Sequence, residues 1–155
     1  VFRYDIHSEY DKFKDVQSDF MFNNHVECTD NNIFSQRSVD FNLERHITKD
    51  VADFDICIWY QNSDWLFIEK GESLILLIDN EKISLTGEGS ARNRDVYSGS
   101  GISELAFYKI DKELIKKLAT AKNVEFQIIG KYAVDCKFTK ENMERAKDFY
   151  NKFGK

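Results

Sequence analysis

Residues 87–101, GEGSARNRDVYSGSG, hold four of the seven glycines, and glycine permits backbone angles and close approaches that other residues resist. Arg92 and Arg94 offer guanidinium forks to a carboxylate or phosphate. Ser90, Ser98 and Ser100 add hydroxyls, and Glu104 follows in the next apolar segment. No helical pattern comes directly after the loop, so the phosphate cradle of a loop feeding a helix N-terminus is not expected. Arg92, Arg94 and Glu104 are therefore the candidate ligand- or partner-binding residues. They would act by ion pairing, with backbone hydrogen bonds from the loop.

The remaining chemistry-bearing residues give weaker patterns. No two of His7, His25 and His46 have helical or hairpin ligand spacing, so they read as solvated histidines. Asp50, Asp53 and Asp55 could gather oxygens for a hard cation. They lack the calcium-loop pattern, and an acidic sheet edge that discourages strand association explains them as well. Cys28, Cys57 and Cys136 form no CxxC pair and cannot all pair within one chain. One disulfide and three free thiols are equally consistent with that spacing. Cys136 falls in the apolar row of Tyr132, Val134 and Phe138 and reads as buried and inert. Cys57 has no local basic partner to lower its pKa. Trp59, Trp65, Tyr97, Phe107 and Tyr108 could form an exposed platform, but core is the favoured reading. There is no P-loop, HExxH or GxSxG motif. No catalytic residue, metal ligand or cofactor is expected.

The elements that must position these residues centre on SLILLIDNEKISLT, residues 73–86. Leu74 to Ile78 is a short branched apolar run, which predicts a strand covered on both faces. Asp79 to Lys82 turns, and Ile83 and Leu85 alternate with polar neighbours, completing a hairpin. Upstream, Phe2, Tyr4 and Ile6 suggest a weak first strand, residues 7–14 a turn or short helix, and residues 16–22 a strand. Thr29-Asp30-Asn31-Asn32 has turn composition. Val39, Phe41, Leu43 and Ile47 alternate with Asp40, Asn42, Glu44 and His46, so one face is core and the other solvent. Phe54, Ile56, Ile58 and Tyr60 repeat the pattern, and Trp65 to Ile68 is expected to return as a short strand. After the strand 102–110, Asp111 caps a helix whose apolar stripe is Leu114, Ile115, Leu118 and Ala119. Two further strands follow, then a helix capped by Thr139. The expected fold class is α+β: a mainly antiparallel sheet with two C-terminal helices, in the order β…β-α-β-β-α, as a single domain over residues 1–155.

Composition narrows the function classes. The 155 residues carry a net charge of −5 and include 13 Phe, enough for a core. Residues 1–110 hold 11 basic and 20 acidic side chains, whereas residues 111–155 hold 11 basic and 7 acidic. The net charge disfavours nucleic acid as a partner. No stretch approaches the ~20 apolar residues of a transmembrane helix. The chain opens at Val1 rather than Met, so an export signal preceding it stays open.

At DWLFIEKGESLILLIDNEKISLTGEGSARNRDVYSGSGISELAFYKI, followed by KELIKKLATAKNVEFQIIG, the sequence resembles a group of small uncharacterised bacterial proteins. The resemblance spans roughly residues 64–153 and rests on overall pattern. It implies a bacterial origin and export or lipoprotein anchoring, and it carries no activity or site residues. The expected function is a noncatalytic module of the bacterial envelope that binds a protein or a small anionic ligand. The alternative is a small hydrolase or transferase with a site near residues 87–101, using Glu104.

Overall fold

Alternation of apolar and polar side chains drives most of the architecture, because each strand can bury one face. The computed structural model describes residues 3–29, 37–97, 99 and 101–155. The strands are β1 (Asp5–Asp11), β2 (Val16–Phe22), β3 (Glu27–Cys28), β4 (Ser38–Thr48), β5 (Val51–Asn62), β6 (Gly71–Ile78), β7 (Glu81–Gly87), β8 (Arg94–Tyr97), β9 (Gly101–Ile110), β10 (Val124–Ile129) and β11 (Ala133–Lys137). Helix α1 (Lys112–Thr120) joins β9 to β10, and α2 (Lys140–Phe149) runs into a π-helical turn, Tyr150–Gly154. The fold is thus mainly antiparallel sheet with two C-terminal helices, and strand outweighs helix.

The sheet order is β1-β2-β4-β5-β9-β7-β6-β10-β11-β3, with β8 added to β9. The order conceals a closure. Beyond β2 the chain continues along the same edge of β4, where His25 bridges Asp40, the Val26 N–H donates to Val39 and the Phe41 N–H to Asn24. It then crosses to β11, pairing Cys28 with Cys136 and Glu27 with Lys137. The sheet therefore curls into a barrel, left thinnest where β7 and β9 meet at Gly87 and Tyr108 alone. Side chains from opposing walls fill the interior: the Phe41 ring lies 5.1 Å from Phe126 and 4.9 Å from Phe138. Leu43, Ile56, Ile58, Leu74, Leu76 and Ile128 complete a continuous core with Phe149 of α2.

The helices close one end. Asp111 caps α1 by accepting from the Leu114 N–H, and Thr139 caps α2 in a reciprocal pair with Asn142. Asp79, at the β6–β7 turn, accepts from the backbone of Lys122 and Asn123. Arg45 lies over Phe153 and holds Asp19 at 2.6 Å on the inner face. Burial alone would raise the Asp19 pKa. Hydrogen bonds from Ser8 and Arg45 outweigh it and leave the group below its usual value.

Several expectations change. Residues 7–11 extend β1 rather than forming a turn or helix, while Phe2 and residues 30–32 of the expected turn lie outside the described residues. Strand β6 is covered on one face only: Leu74 and Leu76 are buried, but Leu77 is 37% exposed. Residues 65–68 are not a strand. The open question of cysteine pairing is resolved: Cys28 and Cys136 are bonded, and Cys57 is free and buried. Cys136 is buried as expected, but as half of a bridge across the barrel seam. No helix among the described residues is long and apolar enough to cross a membrane.

Two outcomes are expected. The bridge closes a loop of sequence separation 108, so Cys28→Ser with Cys136→Ser should lower urea-unfolding stability by about 2–5 kcal/mol. The stability gap between wild type and Asp19→Asn should be widest at neutral pH. It should narrow as pH falls below the ordinary Asp value of 3.8, because a carboxylate of lowered pKa stabilises only while ionised.

Candidate functional site

The end of the barrel away from the helices carries the residues singled out from the loop. Glu104 is fully buried, facing inward from β9 with Ile102, Ala106 and Tyr108. Its carboxylate accepts three successive backbone N–H groups, from Leu66 at 2.7 Å, Phe67 at 3.1 Å and Ile68 at 3.0 Å. The Ser90 hydroxyl adds a fourth bond at 2.5 Å. Phe67 has φ +54°, left-handed and unfavourable for a bulky residue. That angle turns consecutive N–H groups toward one point, making the anion-binding concavity called a nest. Here the anion is the protein's own side chain. This is why an alternating segment fails to become a strand.

Neighbouring backbone locks the segment. The Lys131 N–H donates to Leu66, the Glu69 N–H to Ile129 and the Ser90 N–H to Ile68. Gly130 and Gly89 allow this contact: a Cβ on Gly130 would sit 2.3 Å from the Leu66 carbonyl, and one on Gly89 2.6 Å from that of Ile68. The outward side chains become a stack. Trp65 and Phe67 rings lie 5.7 Å apart and 14° from parallel, and the Arg94 guanidinium covers Phe67 at 4.7 Å. Arg94 also donates to Ser90 at 3.1 Å and lies 3.8 Å from Glu104.

The three candidates therefore separate. Arg94 and Glu104 are brought together as cross-strand partners, but Glu104 is sealed beneath the rim rather than displayed on it. Arg94 keeps 29% of its side chain exposed. Arg92 is exposed and forms no ion pair among the described residues. Ser90 is buried as a Glu104 ligand, and Ser98 and Ser100 lie outside the described residues. The expected loop contains a strand, β8, exposed along its length and paired on one side with β9. Of the aromatic residues, Tyr108 is core, Trp59 and Trp65 are half-buried, and Tyr97 and Phe107 are exposed. Phe67, which belongs to the actual stack, carried no sequence signal beyond its type.

A second group lies on the outer face of β4 and β5. Alternation sends Asp40, Asn42, Glu44 and His46 outward from β4, and Asp53, Asp55, Cys57 and Trp59 outward from β5. Register places Glu44 opposite Asp55 and Asn42 opposite Cys57. The His46 imidazole lies 3.4 Å from Glu44 and 3.8 Å from Asp55 through Nε2, while Nδ1 meets the Ser18 hydroxyl at 2.9 Å. Asp40, buried, is hydrogen-bonded to His25. Burial raises the pKa of Asp40, Glu44 and Asp55 despite their histidine neighbours. Burial, then the charges of Glu44, Asp40 and Asp55, pushes the Cys57 thiol well up. His46, expected as a solvated histidine, is half-buried and joins Glu44 and Asp55, and of the acidic group Asp50, Asp53 and Asp55 only Asp55 takes part. The signal was present, since a two-residue turn at 49–50 pairs position 44 with 55. However, Lys49-Asp50, with φ +50° and +65°, is not a composition that announces such a turn.

The nest makes a direct prediction. Glu104→Gln puts an amide N–H₂ against backbone donors and should cost about 3–5 kcal/mol in denaturant unfolding. Gly130→Ala should cost about 1–3 kcal/mol by pushing on the Leu66 carbonyl. No family model matches this chain, and no curated protein or solved structure matches it.

Proposed function

We propose that the protein is a noncatalytic binding module whose contact surface is the rim formed by β8 and the Trp65–Phe67–Arg94 stack. The observation that carries this reading is a side-chain surface held on a locked backbone beside an exposed strand edge. Strand β8 pairs only with β9 among the described residues. It therefore offers backbone donors and acceptors to an added extended segment. Val96 is 62% exposed, and Arg92 and Arg94 flank the edge with positive charge. An extended protein segment bearing carboxylates suits this surface: main-chain pairing supplies register, the guanidinium groups read charge, and the aromatic rings take apolar contact. Glu104, the acting group of the alternative hydrolase or transferase reading, has its oxygens occupied by four donors and no exposed surface, which leaves that reading without its reacting residue.

We further propose that the module works in an oxidising compartment such as the bacterial envelope. The Cys28–Cys136 bridge supports that placement, because reducing compartments keep such thiols open.

The test is thermal unfolding of wild type and Arg92→Ala across small anions and acidic extended peptides. A ligand at a hundred times its Kd adds about 2.7 kcal/mol of stability. The expected result is stabilisation by an acidic peptide that falls in Arg92→Ala, with amide NMR shifts concentrated at residues 92–97. Stabilisation unaffected by Arg92→Ala, with shifts elsewhere, would refute the rim.

A further inference from the structure

We propose that Glu44, His46 and Asp55 bind a divalent cation of the zinc type on the outer face of β4 and β5. This site is separate from the rim and does not depend on its function.

The geometry comes first. One donor atom from each of the three side chains lies within 4.8 Å of the other two. Tetrahedral zinc with bonds of about 2.0–2.2 Å sets its ligands about 3.3 Å apart. The His46 Nε2 to Glu44 separation of 3.4 Å already meets that spacing, and the 3.8 Å to Asp55 needs a small side-chain rotation. The three ligands come from adjoining paired strands, a rigid support.

Orientation comes second. Ser18 on β2 engages Nδ1 of His46 and leaves Nε2 directed at the carboxylates. Metal-bound histidines are held in this way, by a partner on the far ring nitrogen that fixes the tautomer and ring angle.

Lys109, the cross-strand partner of Asp55, is 77% exposed and its ammonium reaches Asp53 at 3.6 Å. One imidazole and two carboxylates, with a water in the fourth position, suit zinc better than magnesium or calcium, which take oxygen ligands in larger number.

The test is calorimetric titration of ZnCl2 into the chelator-treated, disulfide-intact protein, repeated with Co²⁺ as the optical probe. The expected result is one equivalent of zinc bound, with affinity reduced by roughly tenfold or more in Glu44→Gln and His46→Ala. Ser18→Ala should weaken it by roughly tenfold, and His25→Ala, outside the triad, should leave it unchanged. Co²⁺ should give the visible absorption of a tetrahedral ion. Glu44→Gln keeps the side-chain shape and serves if His46→Ala does not fold, as checked by circular dichroism. Absence of stoichiometric zinc binding, or binding that survives Glu44→Gln and His46→Ala unchanged, overturns the site.

Discussion

The carboxylate of Glu104, clasped by three consecutive backbone N–H groups, is the contact on which one whole end of the barrel depends. A buried carboxylate is costly unless its lone pairs are occupied. Here they are occupied by main-chain donors that would themselves be orphaned inside the barrel mouth. The two requirements satisfy each other, and the left-handed angle at Phe67 is the local strain that makes the match. The glycines at 89 and 130 follow from the same requirement, because side chains there would collide with the clasped segment. The rim is thus built from the inside outward: an internal ion fixes a backbone, and the backbone fixes Trp65 and Phe67.

At the opposite end the logic is ordinary hydrophobic packing. The apolar stripes of α1 and α2 lie over the open mouth, and polar atoms of Asp79 and Asp111 complete chain ends and turns. The two ends therefore differ in kind. One is sealed by apolar contact, with helices as lid. The other is sealed by hydrogen bonds to a single charged group. A surface carried on hydrogen-bonded irregular backbone is held in one conformation more narrowly than one carried on a frayed loop, which suits a contact surface.

Much of the architecture was legible because it is local. The 73–86 hairpin was announced by an apolar run, a polar turn and an alternating return. Asp111 and Thr139 declared themselves as caps by the amphipathic stripes that follow. The rows Val39–Phe41–Leu43 and Ile56–Ile58–Tyr60 gave the right faces. What the sequence left hidden is long-range. Leu66 and Ile68 alternate like any strand, and only Glu104, more than thirty positions on, decides otherwise. The partner of Cys136 could not be read, because Cys28 meets it only when the sheet has curled. Glu104 was singled out for its charge, but nothing in its neighbours distinguishes a displayed carboxylate from an internal one. Glu44, His46 and Asp55 needed the β4–β5 register before they could be seen as a group.

The closure of the barrel also bears on how the chain must be made. Residues 27–29 have no sheet partner until residues 133–137 are in place. During synthesis strands β1 and β2 can pair with β4 and β5, yet the wall next to them stays open until residues 133–137 have emerged. Pairing between such distant segments is slow, since chain entropy must be lost before any contact rewards it. Until then the edges of β3 and β10 are exposed to intermolecular pairing. The covalent bond between Cys28 and Cys136 sits at that seam, joining the two strands whose pairing closes the barrel.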